Sequence, residues 1–324
     1  MKVLIYGIGV LGSTLLHELC KAGHDVTGVA RSKYDQFIKN GIKIRHYYQR
    51  TTTIDRPRIV TAVDPDEHFD IVFSVMQAMQ QKDVLDALAK VNTSLVVLVG
   101  NNLESEQMEQ YILEHASSTR SVLFAFQNSG GHRKEDMFVV GRLPVTLFHI
   151  GKLHGPVEQK DTKILTDLFT KTSYRLSWIA DMYGYYWCHV AEIMPYAYIC
   201  YGMNYDLKKI TRSDVKTIVQ ASHEAFAFLA DSGIAVMPIK EDEYYKPGLK
   251  CKLMTAIYWM IAKTSLGEIF VAGHCRYAPA EMKYIDQKFD EFRKTQGYKE
   301  MPTWDSLRNK FLQFFDKNSV SQSS

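Results

Sequence analysis

The chain has 324 residues, of which 46% are hydrophobic and 23% charged. That is the balance of a globular protein with a full core, and it excludes bulk disorder; at roughly 100–200 residues per domain it points to two domains. With 39 basic and 36 acidic residues the net charge is only +3, and no basic run is interleaved with aromatics, so nucleic acid is not an expected partner.

Residues 3–6 (VLIY) are a short apolar run that predicts a first strand and not a signal peptide. Residues 11–21 then carry Leu11, Leu15, Leu16 and Leu19 at helical spacing, and residues 25–30 predict a second strand. Further strands are predicted over 70–75, 94–99 and 121–126, with helices over 80–91 and 104–115 between them. Strands alternating with helices mean βαβ units, a mostly parallel sheet and helices on both faces. Residues 130–133 (GGHR) predict a loop that could touch substrate or merely turn the chain; 139–140 and 145–150 predict short strands, 161–172 a helix and 174–179 a strand. After Asp181 the strand signal nearly vanishes. Residues 184–205, 213–232, 249–264 and 279–293 all predict helices, the third following the turn Lys246-Pro247-Gly248. The expected architecture is α/β: a Rossmann-type parallel-sheet domain over residues 1–180, then an all-helical domain over 181–324 with a frayed tail from Ser319.

The apolar stretch 193–203 is too short and too rich in tyrosine to span a bilayer, so no membrane is expected as partner. Cys20, Cys188, Cys200, Cys251 and Cys275 are scattered, odd in number and never spaced as CxxC. They predict neither a disulfide framework nor a metal site, and a reducing, cytoplasmic setting.

Residues 7–12 read GIGVLG. The GxGxxG pattern is weak alone, but here it follows a predicted strand, opens a predicted helix and sits in a βαβ unit. Gly7 permits the tight turn, Gly9 lets backbone approach a pyrophosphate, and Gly12 lets helix and strand pack closely. Gly7, Gly9, Val10, Leu11 and Gly12 are therefore the expected phosphate-binding turn at a helix N-terminus. The plainer reading is a glycine-rich turn with no ligand. The second predicted strand ends at Ala30-Arg31-Ser32, where an NAD site usually places an acid. A guanidinium suits a 2′-phosphate, so Arg31 predicts NADPH as cofactor. The plainer reading of Arg31 is a solvated charge at a strand end.

With this turn, with Ala30-Arg31, with residues 97–103 (VLVGNNL) and with a helical second half carrying 224–234 (EAFAFLADSGI) and Ala280-Glu281-Met282, the chain resembles the ketopantoate reductase (2-dehydropantoate 2-reductase) family. The resemblance covers most of the chain. It implies a second domain like the C-terminal domain of 6-phosphogluconate dehydrogenase and an active site in the cleft between the domains. It further implies NADPH-dependent reduction of a 2-oxo acid, of the 2-dehydropantoate to pantoate type that belongs to pantothenate biosynthesis. By resemblance Asn101 lies near the nicotinamide and substrate, and Glu281 holds a substrate hydroxyl. Gln77 stands where the family commonly has a lysine beside the cofactor. The chain also departs from the family. The catalytic lysine expected early in the first long helix of the second domain is missing, since that helix reads YYWCHVAE over 185–192, and Met194-Pro195-Tyr196 replaces the expected asparagines.

A ketone reductase needs a proton donor at the carbonyl oxygen. His189 is the replacement the sequence offers, and Glu192, three residues on, shares its helical face and would favour the charged imidazole. The plainer reading is a packed histidine among Tyr186, Trp187 and Tyr196. A soft metal site at His274-Cys275 and Cys188-His189 has no repeating ligand spacing. Three readings follow: an NADPH-dependent reductase of a 2-oxo acid acting on a small molecule; a reductase of another oxo or imino substrate; or an NADP(H)-binding regulatory or sensor protein that lost the chemistry. Assembly into a homodimer stays open.

Overall fold

A computed structural model describes residues 1–320, with side chains up to residue 317. The chain forms two compact units, Met1–Tyr183 and the chain from Gly184 onward.

The first unit starts with β1 (Lys2–Tyr6), α1 (Val10–Lys21), β2 (Asp25–Val29) and α2 (Tyr34–Asn40). Next come β3 (Ile42–His46), β4 (Thr51–Asp55), β5 (Arg58–Val60) and β6 (Ile71–Val75). Then follow α3 (Ala78–Gln81), α4 (Leu85–Lys90), β7 (Leu95–Val99), α5 (Ser105–Glu114) and β8 (Ser121–Gln127). The unit closes with β9 (Gly130–Arg133), β10 (Phe138–Gly141), β11 (Thr146–Gly151), α6 (Gln159–Phe169) and β12 (Tyr174–Trp178).

Eight strands form one sheet in the order β12-β11-β8-β7-β6-β1-β2-β5. Every neighbouring pair is parallel except β11 against β8. β6 (IVFSV) and β7 (LVVLV) are buried at every residue, as expected of central parallel strands covered on both faces. From β1 the chain builds outward to β2 on one side and resumes with β6 on the other. The carboxyl ends of β1 and β6 therefore flank the switch point where such sheets bind ligands.

A second sheet, β4-β3-β10-β9, was not foreseen. Its strand β3 (IKIRH) alternates buried Ile42, Ile44 and His46 with half-exposed Lys43 and Arg45, the period-2 pattern of a half-buried strand. Residues 130–133 are correspondingly strand β9 and not a loop. The glycines permit this: Gly131 has φ +150°, and a Cβ there would lie 2.0 Å from the Val139 carbonyl oxygen of β10. α1 packs against β1 and β2 of the large sheet and against β3, β9 and β10 of the small one. That explains why Gly12, Ser13, Thr14, Leu15, Leu16, His17, Glu18 and Leu19 are all buried. Its polar residues are paired. Glu18 accepts from Arg142 Nη2 at 2.7 Å and from the Ser173 amide at 2.6 Å, and His17 Nδ1 lies 2.9 Å from Asp55.

The helix predicted over 80–91 is broken into α3, a 3₁₀ turn at Lys82–Val84, and α4. Gln81 is fully buried, and its amide donates to the Ser74 and Val99 carbonyls at 3.2 Å each. These bonds hold the first turn onto the strand ends and interrupt a continuous helix.

The helical part contains α7 (Met182–Gly202), α8 (Arg212–Asp231), α9 (Leu249–Lys263), α10 (Gly273–Tyr277), α11 (Pro279–Thr295) and α12 (Pro302–Val320). No strand occurs among the described residues after Trp178. Thr211 caps α8 by accepting from the Asp214 amide, and Asp214 reciprocates at the Thr211 amide, a capping box. α12 was not foreseen; it takes in Ser319 and Val320, where fraying was expected, and the remainder of that tail lies outside the described residues. The fully buried Arg293 on α11 is paired with Asp305 of α12, and Arg308 returns to Asp286 and Asp290. No helix among the described residues is long and apolar enough to cross a membrane.

Candidate functional site

In the first unit the site is built from backbone. Gly7 has φ +91°, and a Cβ there would lie 2.5 Å from the Val75 carbonyl oxygen. At Gly12 an added Cβ would come within 1.9 Å of the Gly7 carbonyl oxygen. These two glycines are required by the fold itself. Gly9 differs: a Cβ there would meet nothing within 4 Å. Packing within the fold therefore does not require a glycine at position 9. Gly9 is also the N-cap of α1, with no side-chain cap. The first-turn N–H groups of Val10, Leu11 and Gly12 have no acceptor within the helix, and that end of the helix favours negative charge.

The turn opens on a cavity of about 640 Å³ at the ends of β1, β2 and β6. Gly7, Ile8 and Gly9 form one wall, Ala30, Arg31 and Ser32 another, and Met76 and Arg133 contribute as well. The Arg31 side chain is 62% exposed, with Nη2 4.0 Å from the Asp83 carboxylate. Arg133, supplied by β9, donates to the Ile8 carbonyl at 3.4 Å and lies over the Phe138 ring at 5.1 Å. Burial lowers its pKa from the ordinary value, but a guanidinium stays charged. Arg133 stands in a strand rather than a loop and lines the same cavity as Arg31.

Gln77 caps α3 at the end of β6 and is half-buried, and Asn101 follows β7 and is buried. Neither is among the cavity walls. Sheet order places the end of β6 beside the glycine turn and the end of β7 one strand further. Asn102 is structural: its amide donates to Gln81 Oε1 at 3.2 Å and approaches Met108 Sδ at 3.1 Å.

In the second unit the site is built from side chains. His189 on α7 stacks on Tyr185, with ring centres 6.0 Å apart and an interplanar angle of 5°. Burial, reinforced by the charge of His274, lowers its pKa to about 4, against a smaller opposite pull from Glu281. Glu192 Oε2 lies 3.9 Å from its Nδ1, but burial pushes Glu192 up to about 8. The expectation that Glu192 charges His189 is thus reversed: both are neutral at pH 7, because desolvation outweighs their mutual attraction. The imidazole whose pKa is raised is that of His274. Burial works against it, yet the hydrogen bond and charge of Glu281 raise its pKa, with Nε2 to Oε2 3.3 Å. His189 and Glu281 thus belong to one constellation, joined by His274, two helical turns before Glu281. A smaller cavity of about 220 Å³, walled by Tyr205, Glu268 and Arg276, includes none of these residues.

A parallel sheet with a glycine turn at its switch point defines the first unit as a Rossmann-type dinucleotide-binding fold. Residues 3–147 match the family described as ketopantoate reductase PanE/ApbA, a match consistent with a divergent member. No curated protein matches the chain. Among solved structures, 2-dehydropantoate 2-reductase from Methylococcus capsulatus is similar at 16% identity and TM-score 0.73, over 99% of this chain and 98% of its own. D-mandelate dehydrogenase, solved with NADH and anilino(oxo)acetate, is similar at 15% identity and TM-score 0.74, over 98% and 99%. A PanE/ApbA family ketopantoate reductase from Ralstonia eutropha JMP134 is similar at 14% identity and TM-score 0.71, over 98% and 100%. At these identities the likeness is one of fold.

Proposed function

We propose that the chain is an NADPH-dependent reductase of a 2-oxo acid, with the first unit binding the dinucleotide and the second supplying substrate and proton contacts. The observation that carries this reading is the space in front of Gly9, which packing does not require and a pyrophosphate would fill. The choice of NADPH rests on Arg31, with Arg133 as a second cation on the same cavity. The mandelate dehydrogenase of this fold was solved with NADH, so the fold alone does not select the cofactor. Bound at the turn, the reduced nicotinamide supplies a hydride to the substrate's carbonyl carbon. The chain must then stabilise the negative charge on the carbonyl oxygen and protonate it. His189, neutral at pH 7, donates through a ring N–H. The His274–Glu281 pair holds a positive charge nearby and an acceptor for a substrate hydroxyl. Asn101 and Gln77 contact the nicotinamide end of the cofactor in this reading.

A second reading has one observation in its favour: α7 contains no lysine, and its one imidazole is uncharged. On that reading the chain binds NADP(H) and senses it without turning over. NADPH oxidation measured against a panel of 2-oxo acids, 2-dehydropantoate included, separates the two. Consumption that depends on the acid supports the reductase, while tight NADPH binding without consumption supports the sensor.

A further inference from the structure

The small sheet reaches the phosphate turn through its edge strand. β9 runs past the start of α1: a Cβ at Gly131 would come within 3.1 Å of Val10 Cγ1. Two residues on, Nη2 of Arg133 donates to the Ile8 carbonyl at 3.4 Å. Ile8 stands between Gly7 and Gly9, so the guanidinium is fixed at the glycine turn itself. Arg133 and Phe138 are direct partners in the antiparallel β9–β10 pair, and the side chains of such partners share a face. The guanidinium accordingly lies over the Phe138 ring at 5.1 Å. Phe138 in turn packs near Phe37, with ring centres 6.3 Å apart, and Phe37 is part of the cavity wall.

The tip of the β9–β10 hairpin is tied to the chain that follows β2. Lys33 Nζ donates to the Glu135 carbonyl at 3.1 Å, and Gln36 Nε2 to the same carbonyl at 3.4 Å. Lys43 of β3 pairs with Asp136 at 2.9 Å. Lys33 is thereby turned onto the hairpin, which leaves Arg31 and Ser32 to face the cavity at the end of β2. The two arginines of that cavity differ in their partners. Arg31 has the Asp83 carboxylate 4.0 Å away. Arg133 has a carbonyl and a ring, and no paired carboxylate among the described residues. A guanidinium carries five N–H donors, and one long bond to a carbonyl leaves most of them for a ligand. A cation held over a cavity without a counter-charge is suited to an anion, and the planar fork to a phosphate.

We propose that Arg133 holds the diphosphate of the dinucleotide, so that the two arginines divide the cofactor between them: Arg31 at the 2′-phosphate and Arg133 at the diphosphate. The proposal rests on the reading of the first unit as a dinucleotide site, and it holds for a reductase and for a sensor alike. What assigns the diphosphate is position. The guanidinium is anchored on the carbonyl next to Gly9, where a pyrophosphate would lie against the first-turn N–H groups of α1. NADPH and NADH share the diphosphate, so Arg133 adds affinity for both and Arg31 keeps the choice between them. The ring beneath it, the Ile8 carbonyl and the tied hairpin tip hold the fork in place beforehand, so little side-chain freedom is lost on binding. The small sheet thus has a part in the site: it carries the second wall of the phosphate cradle.

Calorimetry on the full chain with three probes tests this. ADP-ribose and NADH carry the diphosphate without a 2′-phosphate, and NADPH carries both. Arg133→Ala should weaken all three by a similar factor, about tenfold or more, and leave the ratio of NADPH to NADH affinity at the wild-type value. Arg31→Ala should weaken NADPH alone and collapse that ratio. The Arg133 side chain is exposed, so its removal should leave the melting temperature unchanged. Arg133→Gln can still donate to the Ile8 carbonyl but has no charge, and it should show the same loss as Arg133→Ala, which separates the lost cation from any loosening of the hairpin. Wild-type affinity for ADP-ribose in Arg133→Ala or Arg133→Gln would overturn the proposal. Weakening of NADPH alone would overturn it as well, by moving Arg133 to the 2′-phosphate. A wild-type chain that binds none of the three probes would instead overturn the dinucleotide reading, and the role of Arg133 with it.

Discussion

The first unit makes its candidate site from backbone: three glycines, the start of α1 and the ends of three parallel strands. The second makes its site from side chains that arrive separately, His189 and Glu192 from α7, His274 from α10 and Glu281 from α11. A backbone site constrains residue type at every position, since a Cβ at Gly7 or Gly12 collides with a carbonyl oxygen. A side-chain site constrains only chemistry, so a lysine can be absent and an imidazole can take its place.

The largest effect expected from this difference is at Gly12. Gly12→Ala places a Cβ 1.9 Å from backbone, so thermal unfolding should show a loss of about 3 kcal/mol or more and NADPH binding should vanish. Gly9→Ala sharpens the contrast. Its Cβ meets only open space, so the melting temperature should stay at the wild-type value while calorimetry shows NADPH binding at least about tenfold weaker. A destabilised Gly9→Ala protein that still binds NADPH would mean that the turn serves the fold alone.

In the side-chain half, His189→Gln should lower turnover about 10²-fold and leave NADPH affinity unchanged. Turnover within a few-fold of wild type would make His189 a packing residue. A smaller change is expected at Arg31, whose side chain is 62% exposed. Arg31→Ala should weaken NADPH by about 1–3 kcal/mol, toward the lower end because of that exposure, and NADH hardly at all. The loss includes the uncompensated Asp83 carboxylate, 4.0 Å from the guanidinium in the wild type. Equal losses for both cofactors would remove Arg31 from the 2′-phosphate.

A separate effect is expected on stability against pH. Glu192 has its folded pKa raised from 4.5 to about 8. Its contribution is complete below the unfolded value and lost as pH rises through about 8. His189 has its folded pKa lowered from 6.5 to about 4, so its contribution is complete above 6.5 and lost as pH falls through about 4. Both trends can be followed by melting temperature, and Glu192→Gln should flatten the alkaline limb while sparing the acid one.

The same contrast governs what could be read from the chain alone. β1, α1, β2, β6, β7 and β8 are announced by short apolar runs and by leucines at helical spacing, and GIGVLG carries its context with it. The small sheet was missed because its strands are short and the paired glycines of β9 imitate loop composition. Arg133 was visible only as part of a loop that could touch substrate. His189 and Glu281 are expected from the sequence, one by its place on a helix and one by family resemblance. The neutral state of His189 is not legible there, because desolvation depends on what surrounds a side chain and sequence spacing reports only neighbours on the same helix. His274 was visible as a histidine two turns before Glu281, but its partner was hidden until the π-helical stretch Gly267–Ala272, α10 and α11 were in place.

On the proposed reading, the first unit binds NADPH and the second protonates the reduced 2-oxo acid. The most direct test follows NADPH consumption by the wild-type chain and by His189→Gln, each with a panel of 2-oxo acids, at cofactor concentrations that saturate both. The account predicts acid-dependent consumption by the wild type and about 10²-fold slower consumption by the variant. Saturable NADPH binding with no consumption of cofactor by the wild type, on any acid of the panel, would contradict it.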